Sequence, residues 1–216
     1  MAFVHLGIHS EYSITDSIVR IKPLVKAAAA DNQRALALTD LSNLYATVKF
    51  YRACLGAGIK PIIGSEVIMD NEDTRLTLLA MNNEGYQNIT RIVSLGFTEG
   101  RADPVNHGTP VIKRSHILEH AAGVIVLLTE KSDVGQALVG SMPEKADELL
   151  TEWQAQFGDR LYFAIKRTNR SGEDAFIRAA IHSGAKHNIP IIAHNDVRFL
   201  EQEDFDAHEA RVCIAG

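Results

Sequence analysis

Side chains that can bind a metal ion recur directly after short apolar runs of this sequence. Imidazole and carboxylate groups that converge on one place can hold a hard or borderline cation. Residues two apart on an extended segment point to the same side. His5, Gly7 and His9 therefore share one face near the N-terminus, and His194, Asp196 and Arg198 share one face near the C-terminus. The candidate ligands are two histidines, two aspartates and one glutamate: His9, His194, Asp40, Asp196 and Glu66.

A structural interpretation of the same residues stays open. An aspartate at the end of a strand commonly accepts hydrogen bonds from backbone N–H groups that begin the next helix. No single one of these residues therefore indicates a metal. The joint pattern carries more weight, because chemistry in α/β barrels sits at the carboxyl ends of the strands.

The elements that would position these residues follow an alternating pattern. Short apolar runs alternate with longer segments of helical period, which is typical of repeated βα units. We predict strands at residues 3–8, 35–38, 60–68, 76–80, 124–128, 161–165 and 189–193. We predict helices at residues 21–30, 43–55, 85–95, 133–139, 143–157, 173–186 and 204–214. The pattern favours a closed or nearly closed α/β barrel, with a doubly wound open sheet as the alternative.

Composition places the chain among globular proteins of a reducing compartment. Its 216 residues suit one domain. No apolar run reaches the roughly 18 residues that span a membrane, and the N-terminus lacks the order of a secretory signal. Cys54 and Cys213 lie far apart and offer no zinc-finger spacing. We expect a cytoplasmic protein without a membrane partner.

The charge distribution argues against independent binding to nucleic acid. The formal net charge is −5, and the densest charge cluster, at residues 201–206, is acidic. A module that binds DNA by itself usually carries a basic face that neutralises several phosphates. We therefore do not expect this chain to bind DNA by itself.

Four stretches match one known set of motifs in order along almost the whole chain. They are HLGIHSEYSITDS, ALALTDLSNLYATVKFYRACLGAGIKPIIGSEV, LTLLAMNNEGYQNITRIVS and AHNDVRFLEQEDFDAHEARVCI. With them the chain resembles the polymerase-and-histidinol-phosphatase (PHP) family, in the form found in bacterial replicative DNA polymerase III alpha subunits. The resemblance implies an α/β fold, a distorted (β/α)7 barrel. It also implies one PHP domain at residues 1–216, at the N-terminal end of a much longer polymerase chain.

The resemblance also implies a metal site that has lost much of its ligand set. Intact family members hold a trinuclear metal cluster on His, Asp, Glu and Cys side chains at the barrel mouth. The positions that keep a usable ligand are His9, Asp40, Glu66 and Asp196. The positions that have lost the family's ligand are Gly7, Leu41, Arg75, Glu130, Thr168 and Arg198.

These substitutions predict a pocket without a strongly bound metal. Glycine and leucine donate no electron pair, and a guanidinium group donates none either while adding positive charge. We expect no cofactor in this domain, or at most one weakly held divalent ion. We also expect Arg75 and Arg198 to pair with Asp40, Glu66 or Asp196 through charged hydrogen bonds.

The function implied by the resemblance belongs to the parent protein, a DNA-directed DNA polymerase that uses Mg²⁺ in a separate active site. This domain would then be a structural and partner-docking module without catalytic residues. Its implied partners are the rest of the alpha subunit and the proofreading exonuclease subunit. The alternatives are an active metal-dependent phosphoesterase or 3′–5′ exonuclease, which only the retained ligands support, and a free-standing small-molecule phosphatase.

Overall fold

The computed structural model describes residues 3–14, 16–71, 73–168 and 170–215. These residues form two compact units. The first contains the described residues up to Ser65 together with those from Asn195 onward, and the second runs from Glu66 to His194. A single domain over residues 1–216 stays a prediction.

Helices and strands alternate along most of the described chain. The strands are β1 (Ala35–Leu38), β2 (Lys60–Met69), β3 (Arg75–Ala80), β4 (Val111–Ile112), β5 (Val124–Leu128), β6 (Leu161–Ile165) and β7 (Ile191–Ala193). The helices are α1 (Ile21–Ala30), α2 (Thr47–Gly56), α3 (Asn83–Leu95), α4 (Arg114–Glu119), α5 (Asp133–Val139), α6 (Pro143–Phe157), α7 (Glu173–His187) and α8 (Phe205–Ala215). None of these helices is long and apolar enough to cross a membrane.

The first unit is built on a parallel strand pair covered by α1 and α2. Strand β1 pairs with the first half of β2 from Ala35↔Lys60 to Leu38↔Ile63. The apolar residues of α1 recur at helical spacing and are buried, which gives this helix one core-facing side. They join Phe50 and Cys54 of α2, both fully buried, in one hydrophobic cluster. This cluster supports the segments that carry the candidate ligands of the first unit.

The strand predicted at residues 3–8 is wrong. Ile8 forms only an isolated parallel bridge with Val197. The hydroxyl of Thr39 accepts a hydrogen bond from Ile8 N at 3.1 Å, while Thr39 N donates to Ile8 O at 2.8 Å. A side chain thus takes the place of a backbone acceptor, so the regular ladder is interrupted although the segment remains hydrogen-bonded.

The second unit contains a mixed arrangement of strands. The end of β2 pairs in parallel with β4, and β3 pairs antiparallel with β5. Strands β5, β6 and β7 then follow in parallel. Strand β4 was not predicted, because its two residues are too few to show a period. It follows a segment that contains two single turns, at Gly96–Gly100 and Pro104–Asn106.

The GYQN segment holds the start of α3 against the turn before β5. Asn82 accepts a hydrogen bond from Gly85 N at 2.9 Å, and the amide of Asn88 donates to Ala122 O at 2.8 Å. A Cβ placed on Gly85 would lie 1.8 Å from the carbonyl oxygen of Gly123. Only glycine therefore permits this close backbone approach.

Candidate functional site

In the first unit, Arg198 lies between two carboxylates. Its Nη2 is 2.7 Å from Asp196 Oδ1, and its Nη1 is 3.3 Å from Asp16 Oδ2. The imidazole of His9 donates from Nδ1 to Asp16 Oδ2 at 2.9 Å. Backbone bonds through Val197 fix the register of this segment, since His9 N donates to Val197 O at 3.2 Å. The retained ligand positions His9 and Asp196 are therefore linked through a guanidinium group and a further carboxylate.

Sequence reasoning missed Asp16. It follows the 3₁₀ turn Glu11–Ser13 and also accepts a hydrogen bond at its backbone oxygen from His208 Nε2, at 3.1 Å. The signal was available, because Asp16 is the aspartate of the opening motif HLGIHSEYSITDS. It was not singled out because it follows no strand and so fell outside the strand-end pattern.

Asp40 is held by hydroxyl and amide groups rather than by an arginine. Its carboxylate accepts from Ser10 N at 2.6 Å, from Ser10 Oγ at 2.9 Å and from Ser13 Oγ at 2.7 Å. The residue is 2% exposed. Burial raises the pKa of Asp40, and the hydrogen bonds from Ser10 and Ser13 oppose that rise. These donors satisfy a buried carboxylate without a metal.

Two positions of the first unit that were predicted to have lost a ligand contribute backbone hydrogen bonds. Gly7 O accepts a hydrogen bond from Val197 N at 2.9 Å. Leu41 N donates to Ser13 Oγ at 3.0 Å. Both positions therefore help to hold the loops that carry Asp40 and Asp196, although neither side chain can bind a cation.

In the second unit, Arg75 pairs with Glu66. Nη1 of Arg75, the first residue of β3, is 3.2 Å from Oε1 of Glu66 on β2. Together with the contact between Arg198 and Asp196, this confirms the prediction that both arginines pair with retained carboxylates. In both pairs an arginine side chain supplies the positive charge that the carboxylate contacts.

A buried lysine forms a second ion pair in this unit. Lys166, just after β6, places Nζ 2.8 Å from Oε1 of Glu130, and its side chain is only 6% exposed. Sequence reasoning noted Glu130 among the predicted lost ligand positions but missed Lys166. A charged residue at the end of an apolar strand was the available signal. A buried ammonium group requires such a partner, because desolvation of an unpaired charge is costly.

Thr168 serves the start of α7 rather than a metal. Its backbone N–H donates to Glu173 Oε2 at 2.7 Å, and its hydroxyl donates to Oε1 of the same carboxylate. Burial raises the pKa of Glu173, but the hydrogen bonds from Thr168 and Arg170 outweigh burial and hold the pKa below its ordinary value. Thr168 thus has a local hydrogen-bonding role at the start of α7.

The sequence matches one protein family over most of its length. The PHP domain model matches residues 5–168. The chain belongs to the PHP domain family. It is 44% identical over 99% of its length to DNA polymerase III subunit alpha of Pseudomonas fluorescens, and 41% identical over 98% to that of Escherichia coli K12. The chain spans 18% of the length of each of these relatives.

Solved structures share the PHP fold at low sequence identity. One is an amidohydrolase from Chromobacterium violaceum with bound sulfate and no metal, at a TM-score of 0.56 and 16% identity, covering 97% of both chains. Another is a two-domain protein from Bacteroides vulgatus containing a predicted PHP-like metal-dependent phosphoesterase. It has a TM-score of 0.58 and 13% identity, covering 96% of this chain and 55% of that one. These likenesses confirm the predicted fold class, a distorted α/β barrel of the PHP type.

Proposed function

We infer that this chain is the PHP module of a replicative DNA polymerase III alpha subunit, in which it acts as a structural and partner-docking part without a catalytic metal centre. The parent protein would be a cytoplasmic nucleotidyltransferase that synthesises DNA with Mg²⁺ bound outside this chain. Identity above 40% to alpha subunits over nearly the whole chain supports this assignment.

The position of Arg198 carries the proposal of an inactive site. A guanidinium group has five N–H donors and no lone pair for a metal. Its contact to Asp196 uses a carboxylate oxygen that a cation would need, and a second contact joins it to Asp16. A dication placed beside it would also meet Coulomb repulsion, which is strong at a mostly buried site. Arg75 on Glu66 and Lys166 on Glu130 repeat the same exchange in the second unit.

The residues present therefore do not fit the cluster that the family implies. Among the described residues, no group of three or more His, Cys, Asp or Glu side chains is arranged to hold a metal ion. Gly7 and Leu41 offer no donor atom at two further ligand positions. No hydrolytic step is assigned to this domain, and at most one weakly held ion would fit the remaining carboxylates.

The docking part of the proposal concerns two kinds of partner. The first is the remainder of the alpha subunit, because the relatives are several times longer than this chain. The second is the proofreading exonuclease subunit, which would supply the hydrolytic activity that this domain lacks. DNA would be contacted through the parent protein, since the net charge of this chain is −5.

One preparation tests the proposal. The full-length protein that carries this chain would be purified without chelator and analysed for zinc, manganese and iron, then assayed for primer extension and for removal of a mismatched 3′ nucleotide. We expect DNA synthesis, no tightly held cluster and no chelator-sensitive exonuclease. Two or more tight ions per chain, with an exonuclease that Asp40→Asn or Asp196→Asn abolishes, would instead favour the active phosphoesterase.

A further inference from the structure

Helix α2 carries an apolar face that stays largely exposed among the described residues. Its inner side buries Phe50 and Cys54 completely. On the outer side, three residues at i, i+3 and i+7 spacing and a tyrosine just before the helix form what we call the α2 stripe. Its members and their exposed fractions are Tyr45 64%, Val48 63%, Tyr51 48% and Leu55 55%.

The stripe lies in a part of the sequence that has more cations than acids. Residues 17–65 contain seven Lys and Arg against two Asp and Glu, of which Asp40 is buried, whereas the whole chain has a net charge of −5. All seven cationic side chains are exposed: Arg20, Lys22, Lys26, Arg34, Lys49, Arg52 and Lys60.

Two of these cations lie on α2 beside the stripe. Lys49 is partly neutralised, since its Nζ is 3.6 Å from Glu11 Oε1 and 3.3 Å from the hydroxyl of Tyr12. Arg52 follows Tyr51 and has no ion pair within the described chain. The stripe is therefore an apolar, tyrosine-rich strip with positive charge along its side.

We propose that the α2 stripe is the docking surface for an acidic amphipathic helix of a separate protein partner. This deepens the docking role proposed above and rests on it. Residues at i, i+3 and i+7 present a straight row that an apolar helix face can pack against. Tyrosine and arginine are among the side chains in which interface binding energy concentrates. Asp and Glu beside the partner's apolar face would complement Arg52 and the surrounding cations.

Other occupants match these features less well. The phosphates of DNA would be attracted to the cations, but Val48 and Leu55 offer them no hydrogen bond. A second copy of this chain would bring two basic faces together, at an electrostatic cost. A segment of the same polypeptide is already present at high effective concentration. It gains little from a charged surface, which mainly speeds the encounter of separate molecules.

Crosslinking in the intact protein identifies the occupant. The photoreactive residue p-benzoylphenylalanine would replace Tyr51 in the full-length protein, expressed in its own source cells. A matched protein would carry the same residue at Ile181, which is 50% exposed on α7 in the second unit. After irradiation, mass spectrometry would map the attached peptide. We expect a peptide from a different polypeptide, with apolar residues at helical spacing flanked by Asp and Glu, and no such adduct from position 181.

Affinity then tests the chemistry of the contact. The mapped peptide would be synthesised, labelled and titrated with the full-length protein. The double variant Arg52→Glu/Leu55→Ala should bind at least about tenfold more weakly. Raising salt from about 50 to about 300 mM should weaken wild-type binding, because exposed charges are screened. The matched control Arg178→Glu/Ile181→Ala changes an exposed cation and an exposed aliphatic residue at the same spacing, and should bind like wild type.

The remaining outcomes overturn the proposal. In the crosslinking experiment, they are an adduct with DNA, with the same polypeptide or with a second copy, and an adduct no stronger than at position 181. In the titration, the outcome is equal binding of the peptide by the two double variants. Urea unfolding of both double variants checks that neither loses the fold. Primer extension by the crosslinked preparation reports separately on the polymerase assignment. A protein that docks the acidic helix but makes no DNA would refute the proposed function and leave this surface intact.

Discussion

The ion pair between Arg198 and Asp196 joins two residues of the candidate site through a charged side-chain contact. The guanidinium group is mostly buried and touches two carboxylates, so the loss of either leaves charge that is poorly solvated. Asp16 remains as a second partner when Asp196 is removed. This makes the pair less critical than an isolated buried ion pair, for which breaking one side costs about 3–5 kcal/mol.

At this scale we predict that Asp196→Ala lowers the free energy of unfolding by about 1–3 kcal/mol, measured by urea titration. Glu209→Ala, which removes an exposed carboxylate from α8, should change it little. In the full-length protein, any loss of the proposed DNA synthesis should follow the loss of stability. If Asp196→Ala unfolds with wild type while a hydrolytic activity disappears, the residue is catalytic and the structural account is wrong.

A second residue-scale prediction concerns pH. Hydrogen bonds from Thr168 and Arg170 hold the pKa of Glu173 below 4.5 despite its burial. A carboxylate whose pKa is lower in the folded than in the unfolded state adds stability above the unfolded pKa. That contribution is lost as the pH falls through the folded pKa. Glu173→Gln should therefore lower the unfolding free energy at neutral pH by about 1–3 kcal/mol.

The pH dependence gives this prediction its test. The difference between wild type and Glu173→Gln should shrink as the pH falls below 4.5. Glu144→Gln, in the first turn of α6, is the control because its carboxylate is exposed at a comparable helix position. A difference that stays constant from neutral to acidic pH would mean that ionisation of Glu173 does not contribute.

At the scale of elements, helix α3 depends on a backbone contact that only glycine allows. A methyl group on Gly85 would overlap the carbonyl of Gly123, whereas one on Gly56, at the end of α2, meets nothing within 4 Å. We predict that Gly85→Ala lowers the free energy of unfolding by about 1–3 kcal/mol, because the helix start must move away from the turn before β5. Gly56→Ala should be neutral or stabilising by up to about 1 kcal/mol. Equal urea midpoints for the two variants would contradict the packing described for α3.

For the whole molecule, the arginine and lysine contacts predict stability that does not depend on a metal. A chelator should leave the unfolding temperature of the protein unchanged, as followed by differential scanning calorimetry. The variant Gly7→His/Leu41→His/Arg198→His restores donor atoms at three ligand positions, and zinc or manganese should raise its unfolding temperature by ligand linkage. A fall of several degrees on adding chelator to wild type would show that a bound ion stabilises the native protein.

The sequence by itself determined the features that depend on local periodicity and short motifs. Helices at residues 21–30, 133–139 and 143–157 and strands at residues 35–38, 124–128 and 161–165 are confirmed at their predicted bounds. Each has enough residues to show one apolar face, or an apolar run of strand length. Ordered motifs over nearly the whole chain likewise identified the PHP family, because they require no knowledge of contacts.

Tertiary structure alone decided which charges meet. Asp16 and Arg198 are separated by most of the chain, and nothing local to either residue indicates that they pair. Nothing local indicates the pairing of Lys166 with Glu130 either. Nor does any local signal indicate that the hydroxyl of Thr39 interrupts a strand at Ile8. Such contacts depend on which segments the folded backbone brings within hydrogen-bonding distance. Periodicity reports the face that a residue occupies, and only packing selects its partner there.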